Sequence, residues 1–226
     1  MSCAVQNRAS LRLSCQHGGA QFCKWLACLY QKISKQKRAT DGRRGFLPRE
    51  QPSGRGSTRR AGLIHPFHLA ALRRYYRQLI RTRQISLGDE QSPRRYAAHN
   101  ESVARFFHHQ LTSSVAAIAG EPVKPSYVYV GSYQSGAELE KHTDREQCEF
   151  SISLCLDYWP EPQNETPWPL KLQTDSGEVA VFQGIGDGLV YRGPEVPHWR
   201  DRLPDGHTST SIFFHYVAAD FAGPLD

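Results

Sequence analysis

No apolar run in this sequence approaches the roughly 20 residues a membrane-spanning helix needs, and the longest early stretch, Phe22 to Tyr30, is broken by Lys24. A transmembrane protein is excluded on that ground. Also missing are a glycine-rich phosphate loop, a serine-centred nucleophile elbow and an HExxH pair, so the common motifs of nucleotide binding, serine hydrolysis and zinc proteolysis give no support. The six cysteines lack the paired CxxC spacing of zinc sites. They are also too sparse for a secreted disulfide scaffold, and no clear signal peptide precedes them, which points to a reducing, cytoplasmic setting. The first 40 residues contain neither Asp nor Glu, a bias shared with organelle transit peptides, so targeting is the alternative location.

The net charge of +6 is unevenly spread. Residues 1–60 hold 13 Lys and Arg against Asp41 and Glu50, whereas the remainder carries 15 basic and 20 acidic side chains. The basicity belongs to a Gly-, Arg-, Ser- and Gln-rich tail with little to bury, expected to be a disordered extension. Aromatic residues are not interleaved through residues 31–60 in the manner of base-stacking platforms, so a nucleic-acid partner is not expected. The folded body is read as residues 61–226.

Within that body, Leu69, Leu72, Tyr76, Leu79 and Ile80 recur at helical spacing across His65 to Gln84. A second helix is expected from Asn100 as N-cap, through Val103, Phe106, Phe107, Leu111 and Val115, to Gly120. Pro122 and Pro125 mark a change of structure, giving a helical part over 61–121 and a β-rich core over 122–218. Strands are expected near 126–130, 149–157, 169–173, 178–183, 188–192, 197–200 and 210–217. In the second of these, Phe150, Ile152, Leu154 and Leu156 alternate with Ser151, Ser153 and Cys155, so one face suits a core and the other leaves space. Regular short strands separated by turn residues predict a sandwich or jelly roll braced by two or more helices.

The chemistry-bearing segment is His142-Thr143-Asp144. On an extended chain, residues two apart share a face, so an imidazole and a carboxylate can meet one metal ion. The third ligand of such a facial triad must return from a distant strand, and His198 follows a Gly-rich turn and the run Gly188 to Arg192. His207, in a polar turn, and His215, inside an apolar strand, rank below it; His65 and His68 read as capping or surface residues.

Residues 126–217 resemble the double-stranded β-helix core of the iron(II)- and 2-oxoglutarate-dependent oxygenases, in a prolyl-hydroxylase-like form. The resemblance rests on Tyr127-Val-Tyr129, Gly131, Tyr133, Gly136 and Leu139 before His142-Thr-Asp144, and on Gly186 to Gly193 before His198. It implies that His142, Asp144 and His198 bind Fe(II), that 2-oxoglutarate and O2 are cosubstrates, and that the outcome is hydroxylation of a small-molecule or peptide substrate. Asp144 argues against halogenation, since the family's halogenases lack that carboxylate. One departure stands out: where the family places an Arg or Lys for the far carboxylate of 2-oxoglutarate, this chain has His207-Thr208-Ser209-Thr210. Arg200, two residues beyond His198, is the expected substitute, helped by hydroxyls of Tyr127, Tyr129 or Ser209, with Arg192 and Arg202 as alternatives. Without such an anchor the chain would read instead as a noncatalytic cupin-like metal- or ligand-binding module.

Overall fold

The computed structural model describes residues 62–226 and, as backbone, two preceding strands, β1 (Glu50–Pro52) and β2 (Ser57–Arg60). The four cysteines of the tail and most of residues 1–60 lie outside the described residues. Helix α1 (Pro66–Arg81) begins on Pro66, whose missing N–H needs no partner there, while His65 Nδ1 accepts the Phe67 N–H at 3.2 Å. Its buried residues are Ala71, Leu72 and Tyr76, the last two from the stripe that the sequence spacing predicts.

Helix α2 (Ser102–Ala119) starts one residue later than expected. Asn100 does not cap it; its backbone takes a left-handed turn (φ 51°) and its side-chain oxygen accepts the Val128 N–H at 3.2 Å. Glu101 is the cap instead, its Oε2 accepting the N–H groups of Val103 and Ala104, each at 3.0 Å. The same carboxylate accepts the Tyr76 hydroxyl at 2.6 Å and the Tyr75 hydroxyl at 2.8 Å, joining the two helices. Gly120, with φ 78°, ends α2 as the sequence suggests.

Two antiparallel sheets follow. The larger contains β1, β2, β3 (Ser86–Leu87), β4 (Arg95–His99), β5 (Val123–Tyr133), β7 (Phe150–Trp159), β10 (Gly188–Tyr191) and β12 (Thr208–Ala218), in the order β1-β2-β10-β7-β12-β5-β4-β3. The smaller contains β6 (Leu139–His142), β8 (Leu170–Thr174), β9 (Gly177–Val181) and β11 (His198–Arg200), in the order β6-β11-β8-β9. This is a jelly roll, or double-stranded β-helix, with α2 packed on β5 and β12 and α1 on β7. Regular structure begins before residue 61: β2 pairs with β10, whose backbone would otherwise present an open edge. Strands β4 and β6 carry no clear apolar alternation and were not expected from the sequence.

Both faces of β7 are buried. Phe150 on its apolar face is 4% exposed, and Ile152, Leu154 and Leu156 at most 1%. The small polar face of Ser151, Ser153 and Cys155 turns to the interior between the sheets, which is the space that the alternation anticipated.

Replacing Glu101 by Ala removes a helix cap and the partner of a buried tyrosine hydroxyl together. We expect about 2–4 kcal/mol of lost stability in urea denaturation, the sum of a typical cap and an unsatisfied buried hydroxyl. A loss below about 1 kcal/mol would show that the carboxylate is not the link between the helices.

Candidate functional site

Strand pairing assembles the three residues. Strands β6 and β11 run antiparallel with His142 directly opposite His198, and their rings lie 4.3 Å apart, centroid to centroid. Asp144 follows β6 by two residues, with its N–H donating to Gly193 O at 3.0 Å. Its Oδ1 lies 3.7 Å from Nε2 of His142 and 3.7 Å from Nε2 of His198. The other nitrogens are committed to the backbone: His142 Nδ1 lies 2.8 Å from Glu140 O and His198 Nδ1 lies 3.0 Å from Val196 O. A carbonyl can only accept, so both Nδ1 atoms carry the proton and both Nε2 atoms present lone pairs. Tyr191 OH approaches the His198 lone pair at 3.4 Å.

Such a donor set suits a divalent metal ion. All three donor atoms lie within 4.8 Å of one another, and the carbonyl contacts fix the imidazole tautomers, as outer contacts do in metal centres. Two imidazoles and one carboxylate leave three adjacent positions of an octahedral ion free. Burial lowers the His198 imidazole from its ordinary range against the opposing pull of Asp144, which favours the neutral, metal-binding form.

The site opens on a cavity of about 650 Å³. Tyr127, Tyr129 and Tyr133 of β5 line it, as do Tyr191, Phe213 and His215. His215 had ranked below His198 as a ligand. Burial pushes its imidazole down to about 3, and its Nδ1 meets Ser151 Oγ at 2.9 Å. His207 lies away from the cavity against Tyr158 OH.

The arginines sort differently from one another. Arg192 and Arg202 are paired at the surface with Glu195 and Asp205. Arg200 is 3% exposed, and among the described residues it has no carboxylate partner. Its Nη1 donates to Trp168 O at 2.6 Å and its Nη2 to Gln183 Oε1 at 3.4 Å, while Nε has no partner. The hydroxyls of Ser153 and Ser211, likewise buried, have none either. Arg200 does not line the cavity but adjoins Tyr133 and Tyr191, which do. Ser209 is also outside the cavity lining, opposite Tyr133 and Tyr158.

Arg95 is the residue that sequence reasoning missed. It enters the cavity wall from β4, where Asp89 holds it at 2.6 and 2.8 Å and Tyr133 OH at 3.0 Å. Its strand has only five residues and no alternating pattern, so nothing local announced it.

No protein-family model and no curated protein matches the sequence. Solved structures do. A prolyl-4-hydroxylase from Pseudomonas putida is 17% identical with a TM-score of 0.56, covering 72% of this chain and 92% of that one. AviO1 from Streptomyces viridochromogenes Tue57 is 21% identical with a TM-score of 0.59, covering 75% and 92%. HygX from Streptomyces hygroscopicus, solved with nickel, 2-oxoglutarate and hygromycin B, is 13% identical with a TM-score of 0.57, covering 74% and 84%. The fold is shared. At these identities the likeness is one of architecture, and the chemistry must be argued from the residues.

Gly193 ties the two halves of the site together. A Cβ there would collide with Asp144 Oδ2 and lie 2.6 Å from Cys148 O. Gly193→Ala is therefore expected to displace Asp144 and weaken divalent-metal affinity by roughly 10–100-fold, the range typical of outer-contact losses, as read by calorimetric titration. Unchanged affinity would mean that Asp144 is not a ligand.

Proposed function

We propose that the protein is an Fe(II)- and 2-oxoglutarate-dependent dioxygenase that hydroxylates a small-molecule or peptide substrate, with His142, Asp144 and His198 as the iron ligands. One observation carries the reading: two imidazole lone pairs, each 3.7 Å from the same carboxylate oxygen, face a cavity large enough for cosubstrate and substrate. The fold shared with the P. putida prolyl-4-hydroxylase and with HygX, whose structure holds nickel and 2-oxoglutarate, supports it. Bound there, Fe(II) together with 2-oxoglutarate and O2 supplies the oxidation of a C–H bond, with release of succinate and CO2. The protein's own part is to hold the ligands, orient both substrates and keep water from the reacting centre. We take its compartment to be the cytoplasm, in keeping with the free thiols Cys148 and Cys155.

Arg200 is the proposed anchor for the far carboxylate of 2-oxoglutarate. A buried guanidinium without a counter-charge is destabilising by several kcal/mol, and a carboxylate brought to its partnerless Nε would relieve that strain on the fold. Burial lowers the Arg200 pKa from its ordinary value, yet a guanidinium remains charged. Ser211 and Ser153, with hydroxyls open for the same anion, take the part expected of Ser209. Tyr127 and Tyr129, in the cavity wall, flank the path. Arg95 is the weaker candidate, because Asp89 already occupies its guanidinium at two points.

Anaerobic titration of Fe(II) and 2-oxoglutarate tests this directly. The wild-type chain should develop the weak visible band of a metal-chelated 2-oxo acid, and His142→Ala and His198→Ala should abolish it. Arg200→Met should preserve metal binding while raising the 2-oxoglutarate concentration required by about 10–100-fold, the loss of one charge-assisted contact. Stoichiometric metal binding with no band at any concentration would favour the noncatalytic cupin-like module instead.

A further inference from the structure

Asp144 presents Oδ1 to the two histidines, and its second oxygen has a partner of its own. Oδ2 lies 3.3 Å from Ser151 Oγ, on the interior face of β7. That hydroxyl has two other neighbours, Cys148 O at 3.2 Å and His215 Nδ1 at 2.9 Å. Ser151 has one proton for three partners. The carboxylate and the carbonyl can only accept, whereas an imidazole nitrogen can take either role. The arrangement that satisfies the most partners makes His215 the donor and directs the serine proton towards the charged oxygen, the strongest of the acceptors.

We propose that His215 Nδ1–H donates to Ser151 Oγ and that Ser151 Oγ–H donates to Asp144 Oδ2, so that Ser151 and His215 are positioning residues that keep Asp144 ligating through one oxygen. This rests on the metal-site reading above. Its consequence is coordination number. A carboxylate that swings to bind through both oxygens takes a position that a chelating cosubstrate or O2 requires. With Oδ2 tied to β7, that swing is blocked. The support is stiff, because Ser151 is paired on both sides, opposite Tyr191 of β10 and His215 of β12. His215 is among the residues lining the cavity, and the same chain of contacts leaves its Nε2 unprotonated, as an acceptor.

A competing use of these atoms is a second metal ion, since donor atoms of Asp144, Cys148 and His215 also lie within 4.8 Å of one another. Titrating Co(II) into the full chain separates the possibilities, because its visible absorption reports coordination number and its near-ultraviolet absorption reports thiolate ligation. The wild-type chain should bind one equivalent without a thiolate band. Ser151→Ala should bind Co(II) roughly 10–100-fold more weakly, with an altered visible spectrum and a diminished response to 2-oxoglutarate. Ser151→Thr, which keeps the hydroxyl, should restore the wild-type spectrum, and His215→Phe should shift it part of the way towards that of Ser151→Ala. Wild-type affinity and spectrum in Ser151→Ala, in a chain whose wild type binds one equivalent, would overturn the proposal, as would an unchanged spectrum in His215→Phe. A second equivalent with a thiolate band that Cys148→Ala removes would also overturn it, giving Asp144 Oδ2 to another ion. Failure of the wild-type chain to bind Co(II) at all would instead overturn the metal-site reading itself.

Discussion

The antiparallel pairing of β6 with β11 is the contact on which the site depends. It sets His142 against His198 across a short ladder, and the chain's next turn brings Asp144 under both. Neither strand has enough residues to hold that register alone. Strand β11 is secured on its other side by β8, where His198 lies opposite Leu172, and Asp144 is secured by the Gly193 carbonyl that follows β10. The geometry of the His142–Asp144–His198 cluster is thus a property of the sheet ladder. Two imidazoles and a carboxylate this close would be poorly compatible without an ion or the backbone carbonyls that fix their tautomers.

The interior between the sheets divides into two chemistries. Around the His142–Asp144–His198 cluster it is hydroxyl-rich and aromatic, with Tyr127, Tyr129, Tyr133 and Tyr191 on the walls. Outside the cavity lining lie Arg200, Ser153 and Ser211, each with a buried polar atom that has no partner. Buried orphan groups are rare in folded proteins and usually mark a missing ligand or water. Arg200 Nε, Ser153 Oγ and Ser211 Oγ are three such atoms, and the first belongs to a guanidinium with no carboxylate partner among the described residues. Arg95 has the opposite character. Burial disfavours its charge, but Tyr133 and Asp89 more than offset this and hold its pKa above the ordinary value, so it acts as a structural strut of the cavity wall.

Much of this was legible in the sequence where a pattern repeats. The strand 150–159 showed its two faces through alternation, and the helices showed theirs through spacing and through Gly120. The triad was legible because His-x-Asp on an extended chain fixes a shared face. What could not be read was anything decided by partners distant in sequence. Asn100 has the chemistry of a cap, but Val128 claimed its side chain and Glu101 capped the helix, guided by two tyrosines of the other helix. Strands β4 and β6 form because neighbouring strands offer edges, not because their residues alternate, and so Arg95 escaped notice. Ser209 and Ser211 differ by one strand repeat and are both buried, and only the hydroxyl of Ser211 is left without a partner, a distinction that no local pattern carries.

The measurement that tests the account most directly is a crystal structure of the chain grown without oxygen in the presence of Mn(II) and 2-oxoglutarate. The account predicts one ion bound by Nε2 of His142, Nε2 of His198 and a single oxygen of Asp144, with the far carboxylate of 2-oxoglutarate against Arg200. Metal bound elsewhere, or a carboxylate seated on Arg95 with Asp89 displaced, would contradict it.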